Sequence, residues 1–435
     1  MPAPRELPSA SLLDSVQFNQ AVIIPNAVQG LFRRRPNAVG VATRLDLDGR
    51  GVRLMEGLRE RYGPGPVWIR VMADRVLLCL QVEDVARVLD GSPHPFASDP
   101  AAKRKGMAHF QPDALTLSRG ELWQNRRAFT ESVLQTPAQA HALAGEFLDV
   151  VVEETDRTLT GVGDGPLRFD DWHELFRRIV RRVVLGDAAA EDEELSDLLA
   201  TLMSEANGLP SEPSPSYPDY VERLAGYVEA AEPGSLASLL AAAPQDVDTR
   251  VAGQVTHWLF ALQDTLAVNA FRALALIAAH PAARAAVAQE LEGEDAPYLA
   301  GCLQEAMRLF PTTPLLSRET LVDLAWNGAT VPAGTQVLIV NAFHHRDRAH
   351  VPYADRFAPQ EWTAGDAARQ RAFNHFSSGP QGCPGANLAL LLGTAVLAQT
   401  LRGLPGLRAT DGAGGLDPGR PLPHSLNPYA LRFGA

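Results

Sequence analysis

Phe376-Ser-Ser-Gly379-Pro-Gln-Gly382-Cys383-Pro384-Gly385 sets one cysteine among spaced glycines, directly ahead of a long apolar run. Glycine lets a backbone turn with positive φ and approach a flat ligand closely. Pro384 suits the first turn of a helix, whose unpaired N–H groups would stabilise a thiolate on Cys383. From Gly382 to Leu401 the chain carries no charge over 20 residues, the length of a membrane span. Asn387, Gly393 and Gln399 interrupt that run, so it reads as a helix buried on all sides.

The rest of the composition narrows the class. The chain has 435 residues, 46% of them apolar and 21% charged, with a formal net charge of -12. That is ordinary globular composition, with ample chain to bury a large core, and it excludes collagen-like, disordered and small disulfide-scaffold proteins. The basic residues are almost all arginine, and the one lysine-containing cluster is Lys103-Arg104-Lys105. An acidic chain lacks the basic face that sequence-independent nucleic-acid binding needs, so no nucleic-acid partner is expected. Cys79, Cys302 and Cys383 share no metal-ligand spacing and cannot all pair, which points to a reducing, cytoplasmic compartment. The first residues include Pro, Arg and Glu and form no apolar h-region, so neither a signal peptide nor a transmembrane segment is expected.

No repeat or linker divides the chain, and one domain over residues 1–435 is expected. The Pro and Ser cluster from Leu209 to Tyr217 reads as a loop between helices. His141 to Leu159 and Asp171 to Leu185 show apolar residues at three- and four-residue steps, the period of amphipathic helices. Strands are expected at Val67–Val71, Arg75–Gln81 and Gln336–Val340. The fold class is therefore mainly α with small β-sheets. The longest helix candidate runs from Val255 to His280 and stops at Pro281, about 40 Å at 1.5 Å per residue. It is apolar nearly all round yet carries Asp264, Thr265 and Asn269, and buried polar groups there need a partner or a task.

A thiolate held rigidly with one face open is how proteins ligate haem iron axially. With its cysteine loop the sequence resembles the cytochrome P-450 family, the haem-thiolate monooxygenases, of soluble bacterial type. The family loop F-x-x-G-x-x-x-C-x-G is present as Phe376, Gly379, Cys383 and Gly385. Further motifs follow in the family's order from about Phe96 to Leu401. Glu305-Ala-Met-Arg308 matches the E-x-x-R pair, which the resemblance implies is a buried ion pair bracing the cysteine loop. Trp123-x-x-x-Arg127 and Arg318 match positions that reach haem propionates, and Gln381 stands where an Arg or His usually makes a further propionate contact. Ala261-Leu-Gln-Asp264-Thr265 matches the oxygen-activating helix, implying an acid–alcohol pair that delivers protons. Thr265 could also bond back to the Ala261 carbonyl. Two other departures stand out. Leu262 occupies a position that is often glycine, and Glu361 in Phe357-Ala-Pro359-Gln-Glu361-Trp362 replaces the arginine of F-x-P-x-R-W, so Arg356 is the candidate substitute.

The resemblance implies haem b between the long central helix and the cysteine loop, ligated by Cys383. The reaction it implies inserts one oxygen atom of O2 into an apolar small molecule. No flavin or nicotinamide fingerprint is fused to the chain, so electrons are expected from a ferredoxin with its ferredoxin reductase, with Arg119 and Arg126 as docking contacts. The same ligand set also suits a peroxygenase or oxidative-coupling enzyme, and a sensor or carrier without turnover would bind haem too. A cysteine hydrolase would need His375 as partner. Residues Phe96–Pro112 and Leu209–Tyr220 correspond to pocket-lining segments in the resembling family, with Met107, His109 and Phe110 as candidates.

Overall fold

The computed structural model describes residues 6–293 and 295–434. The N-terminal segment read for a leader lies partly outside them. Helices carry most of the chain, and a five-stranded sheet flanks them in the order Val67–Val71, Asp74–Leu78, Gln336–Val340, Leu315–Thr320, Phe96–Ala97. Only Asp74–Leu78 and Gln336–Val340 pair in parallel. Two strands have the bounds that the sequence implies. The third ends at Leu78 rather than Gln81, because the chain turns there into the helix Val82–Asp90.

The helix ends are set by side chains that periodicity does not weigh. The helix expected from His141 begins at Ala144, because His141 is a turn residue: its Nε2 meets the Val133 carbonyl and its Nδ1 accepts the Leu143 N–H. The helix expected from Asp171 begins two residues earlier, at Phe169, where the Asp171 carboxylate accepts the Arg168 N–H in a capping box. The segment after Leu209 joins the helices Glu193–Ala206 and Tyr217–Ala230 as expected.

The long helix spans Val251–Ala279, and the next helix, Pro281–Glu290, begins at the proline. Among the described residues it is the helix long and apolar enough to cross a membrane, and 72% of its most apolar window is buried inside the fold. Its turn at Ala261–Leu266 is π-helical, a widened form that recurs at functional sites. Trp172, from the helix Phe169–Leu185, donates its indole N–H to the Ala267 carbonyl at 3.0 Å. The uncharged run after Cys383 forms the helix Ala386–Gly403, packed on Ala144–Val162 and Pro297–Leu309. It starts beyond Pro384, so the proline sits ahead of the first turn rather than in it.

Glu305 and Arg308, one turn apart on the helix Pro297–Leu309, form an ion pair at 2.6 Å with neither side chain exposed. Burying two charges is unfavourable unless every remaining donor and acceptor is met. Arg308 donates to the carbonyls of His345, Ala354, Tyr353 and Arg356. Glu305 accepts from the Ala358 N–H and from the Trp362 indole at 2.9 Å. Arg356 therefore enters the network through its carbonyl, not its guanidinium, which turns outward to Pro352. The expected arginine is replaced by an indole donor one residue after Glu361.

Removing one member of a buried pair costs about 3–5 kcal/mol, comparable with a domain's whole stability. Glu305→Ala and Arg308→Ala should each give poorly folded, aggregation-prone chain. Trp362→Phe, which deletes one donor, should stay folded and lose about 1–3 kcal/mol in a denaturant titration. Normal melting of all three variants would place the network outside the stabilising core.

Candidate haem site

The loop Phe376–Gly385 lies below the widened turn of the long helix, and a cavity of about 270 Å³ separates them. Leu262, Thr265, Phe376, Cys383 and Gly385 line it, with His375 at one side. Gly379 has φ +68°, and a Cβ there would meet the Leu89 carbonyl at 2.4 Å, so this position demands glycine. Gly385 has an ordinary φ of -96° and caps the following helix. Of the loop's glycines, only Gly379 adopts positive φ. The Cys383 N–H donates to the Phe376 carbonyl at 2.7 Å, which fixes the thiol beneath the cavity. Burial raises the thiol pKa, while the Gly385 N–H and the nearby Arg127 work the other way. Cys79 and Cys302 are buried free thiols, also pushed up by burial.

Arg308 connects this loop to the core. His345 faces the Arg308 carbonyl with Nδ1 and accepts the Asn374 N–H with Nε2 at 3.1 Å, two residues before Phe376. Both contacts are met by a neutral ring, and burial holds the His345 pKa well below the usual histidine range.

Beside the loop lie two cations, Arg318 buried and Lys103 half-buried. Arg318, on the strand Leu315–Thr320, donates to Ser92 Oγ, the Ser317 carbonyl and Ser377 Oγ. Lys103 donates to the carbonyls of Ser98 and Thr116. Neither makes an ion pair among the described residues. Burial lowers Arg318 to about 10, and burial with the charge of Arg318 lowers Lys103 to about 7. Gln381 adds its amide, donating to Ser98 Oγ at 3.2 Å, and its buried Oε1 has no partner. Arg127, on the helix Gly120–Leu134, instead reaches the cysteine loop itself. Its Nη1 donates to the Gly382 carbonyl at 2.7 Å, and its Nε to Glu131. Trp123 is half-buried one turn earlier on that helix.

Other expectations are corrected. Arg126 is buried and bound to the Asp248 carbonyl, Ser118 and Asp113, so it is an internal tie rather than a docking contact, while Arg119 bridges Asp99 and Glu319 and stays partly exposed. His109 joins Glu205 and the Glu212 carbonyl, and Phe110 packs edge-on to Phe32 and Phe260. Gly106, at φ +87°, would drive a Cβ to 2.4 Å from the Phe32 ring. The N-terminal segment around Phe32 thus fills ground that the sequence reading gave to residues 96–112. His375 is half-buried, with its pKa lowered to about 4 and its Nδ1 without a partner among the described residues, which makes it a weak general base for Cys383.

Asp264 and Thr265 diverge. Thr265 lines the Cys383 cavity, and among the described residues it makes no bond back to Ala261. Asp264 lines a second, larger cavity of about 520 Å³, where its Oδ1 meets His173 Nε2 at 2.9 Å. Leu262 is buried at the edge of the first cavity, in the space that a glycine would leave open.

Residues 238–404, which include the long helix, the buried pair and the cysteine loop, match the family model for cytochrome P450. That segment, under half of the chain, is similar to cytochrome P450. Probable cytochrome P450 4s3 of Drosophila melanogaster is 33% identical over 36% of this chain and 33% of its own length. Thromboxane-A synthase of Mus musculus is 25% identical over 53% of this chain and 47% of its own. The matches thus span about a third to a half of these relatives. The crystal structure of P450BioI in complex with hexadec-9Z-enoic acid ligated acyl carrier protein superposes over 90% of this chain and 100% of that one, with TM-score 0.67 and 15% identity. The fold is that of a P450.

The family's cofactor is haem, and the residues present fit it. A thiol fixed by backbone sits under an apolar slot. Beside the loop Lys103 and Arg318, which make no ion pair among the described residues, and the Gln381 amide N–H form a donor socket that would hold two propionates. Lys103 was not foreseen; its position inside the Lys103-Arg104-Lys105 cluster disguised it as surface charge. The socket carries a pH signature in the haem-free chain. A lysine lowered from 10.5 to about 7 leaves the unfolded state holding more protons between those values. Stability should therefore rise with pH from about 7 towards 10. Lys103→Met should flatten that slope in thermal melts while weakening haem retention; an unchanged slope would mean that the ammonium is solvated.

Proposed function

We propose that this chain is a haem-thiolate monooxygenase, one haem domain that inserts one atom of O2 into a largely apolar small molecule. Haem b, when bound, would supply dioxygen activation and O–O cleavage promoted by thiolate. The observation that carries the reading is Cys383, fixed by its N–H to Phe376 beneath a slot roofed by the widened helical turn. Phe376, Gly379 and Gly385 shape the loop around the thiol. Lys103, Arg318 and Gln381 would hold the propionates, and Arg127 would steady the loop beside the thiolate from the Trp123 helix. Electrons come from an external donor, for which we propose a ferredoxin with its reductase, and a cytoplasmic setting suits three unpaired cysteines.

Proton delivery falls to Asp264 and Thr265. Asp264 can take a proton from His173, 2.9 Å away on the solvent-connected side. Thr265, adjacent in the same turn and lining both cavities, can pass it to the Cys383 side. Leu262 crowds that path, the one observation that favours a peroxide-driven reading, in which protons arrive with the oxidant.

In the reduced, carbon monoxide-treated protein the Soret band should carry the red shift of thiolate ligation, and Cys383→Ser should lose it. An unshifted wild-type band would end the haem-thiolate assignment. Asp264→Asn and Thr265→Ala should keep haem and substrate binding yet cut product per electron several-fold, with the electrons leaving as hydrogen peroxide or water. Peroxide-driven turnover should suffer less. Unchanged coupling in both variants would make these residues structural.

A further inference from the structure

The larger cavity has the wrong chemistry for a purely apolar ligand. It adjoins the Cys383 cavity, sharing Phe260, Thr265, Thr312 and Thr313 as wall, and its far side holds the two half-buried guanidiniums of Arg34 and Arg272. Arg34 donates to the Thr312 carbonyl at 3.2 Å. Arg272, on the long helix, donates to the carbonyls of Leu426 and Phe310, both at 2.9 Å. Neither has an ion-pair partner among the described residues. Asp48 is the acid beside them, one carboxyl for two cations, and burial pushes its pKa up, away from the charged form. Burial also lowers Arg34 and brings Arg272 to about 10.

The other charges on this wall are engaged elsewhere. Asp264 pairs with His173; Arg33 holds the Ala200 carbonyl and Ser204 Oγ, and Arg35 holds the carbonyls of Ala27 and Val28. Asp170 lies at the Phe169 end, beside His173. The Arg34–Arg272 corner thus keeps uncompensated positive charge inside a cavity whose other arm is apolar. Carbonyl contacts satisfy N–H geometry but leave the charge unbalanced, and a carboxylate supplies both.

We infer that this cavity takes an apolar carboxylic acid, its carboxylate held by Arg34 and Arg272 and its apolar body reaching past Thr265 towards Cys383. The inference deepens the proposed function and rests on it for the chemistry, though not for binding. A site built around such a charge discriminates strongly against the analogue that lacks it.

The test uses the haem-loaded chain, with the carbon monoxide spectrum recorded first. Dodecanoate, methyl dodecanoate and dodecyl phosphate are titrated, and binding is read by spectral shift and by equilibrium dialysis. Dialysis counts a ligand that leaves the spectrum unaltered. The acid should bind at least tenfold tighter than its ester. Arg34→Gln should lower the acid's affinity at least fivefold more than the ester's, and Arg34→Lys should restore most of the difference. Arg272→Gln, read the same way, serves if Arg34→Gln fails to fold. Acid and ester binding within threefold of each other, or a preference that survives both glutamine variants, would overturn the inference. Dodecyl phosphate binding tenfold tighter than the acid would overturn the carboxylate assignment. A missing red-shifted band would instead sink the haem-thiolate reading, while dialysis would still decide acid recognition.

Discussion

Two charges with no exposure to water, Glu305 and Arg308, hold three separate stretches of chain in one arrangement. Such a pair is unfavourable unless its geometry is closed, and here four carbonyls, one amide and one indole close it. Arg308 collects the turn from His345 to Arg356. Its own carbonyl passes the constraint through His345 to Asn374, and so to the loop that carries Cys383. A ligating thiol needs a fixed position rather than a flexible one. The network that fixes the loop lies outside the cavity, so its members would act on a bound haem only by holding the loop.

The opposite wall solves a different problem. A helix buried over most of its length has its backbone groups tied up internally and little room for polar function. The π-helical turn at Ala261–Leu266 changes that locally. It lets Thr265 face both cavities, while Asp264 meets His173 on the far side. The Asp264–His173 pair and both cavities thus meet at one widened turn. The cavity beyond it holds the Arg34–Arg272 corner, so charge at one end and apolar wall at the other give a ligand a direction.

Within the described residues the motifs carried much of the site. The cysteine loop and the strands Val67–Val71 and Gln336–Val340 follow from short-range patterns, whereas the burial of Glu305 and Arg308 followed from the family resemblance, because their spacing fixes a shared helix face but not what covers it. Helix boundaries were less legible. His141 and Asp171 moved them through side chain–backbone bonds that a hydrophobic period does not register. Arg126 shows the limit for charge: its sequence reads as exposed, yet Asp113, Ser118 and the Asp248 carbonyl converge on it from elsewhere in the chain.

The sequence by itself marked the cysteine loop, the Glu305–Arg308 spacing and the long helix, since each is written in a few neighbouring residues. Tertiary structure alone decided what those residues meet. Lys103 joins Arg318 across more than 200 positions, Trp362 stands in for an absent arginine, and Arg34 from the N-terminal segment faces Arg272 on the long helix. The physical reason is burial. A charge costs little in water and much inside, and which charges end up inside depends on long-range packing that no local pattern records.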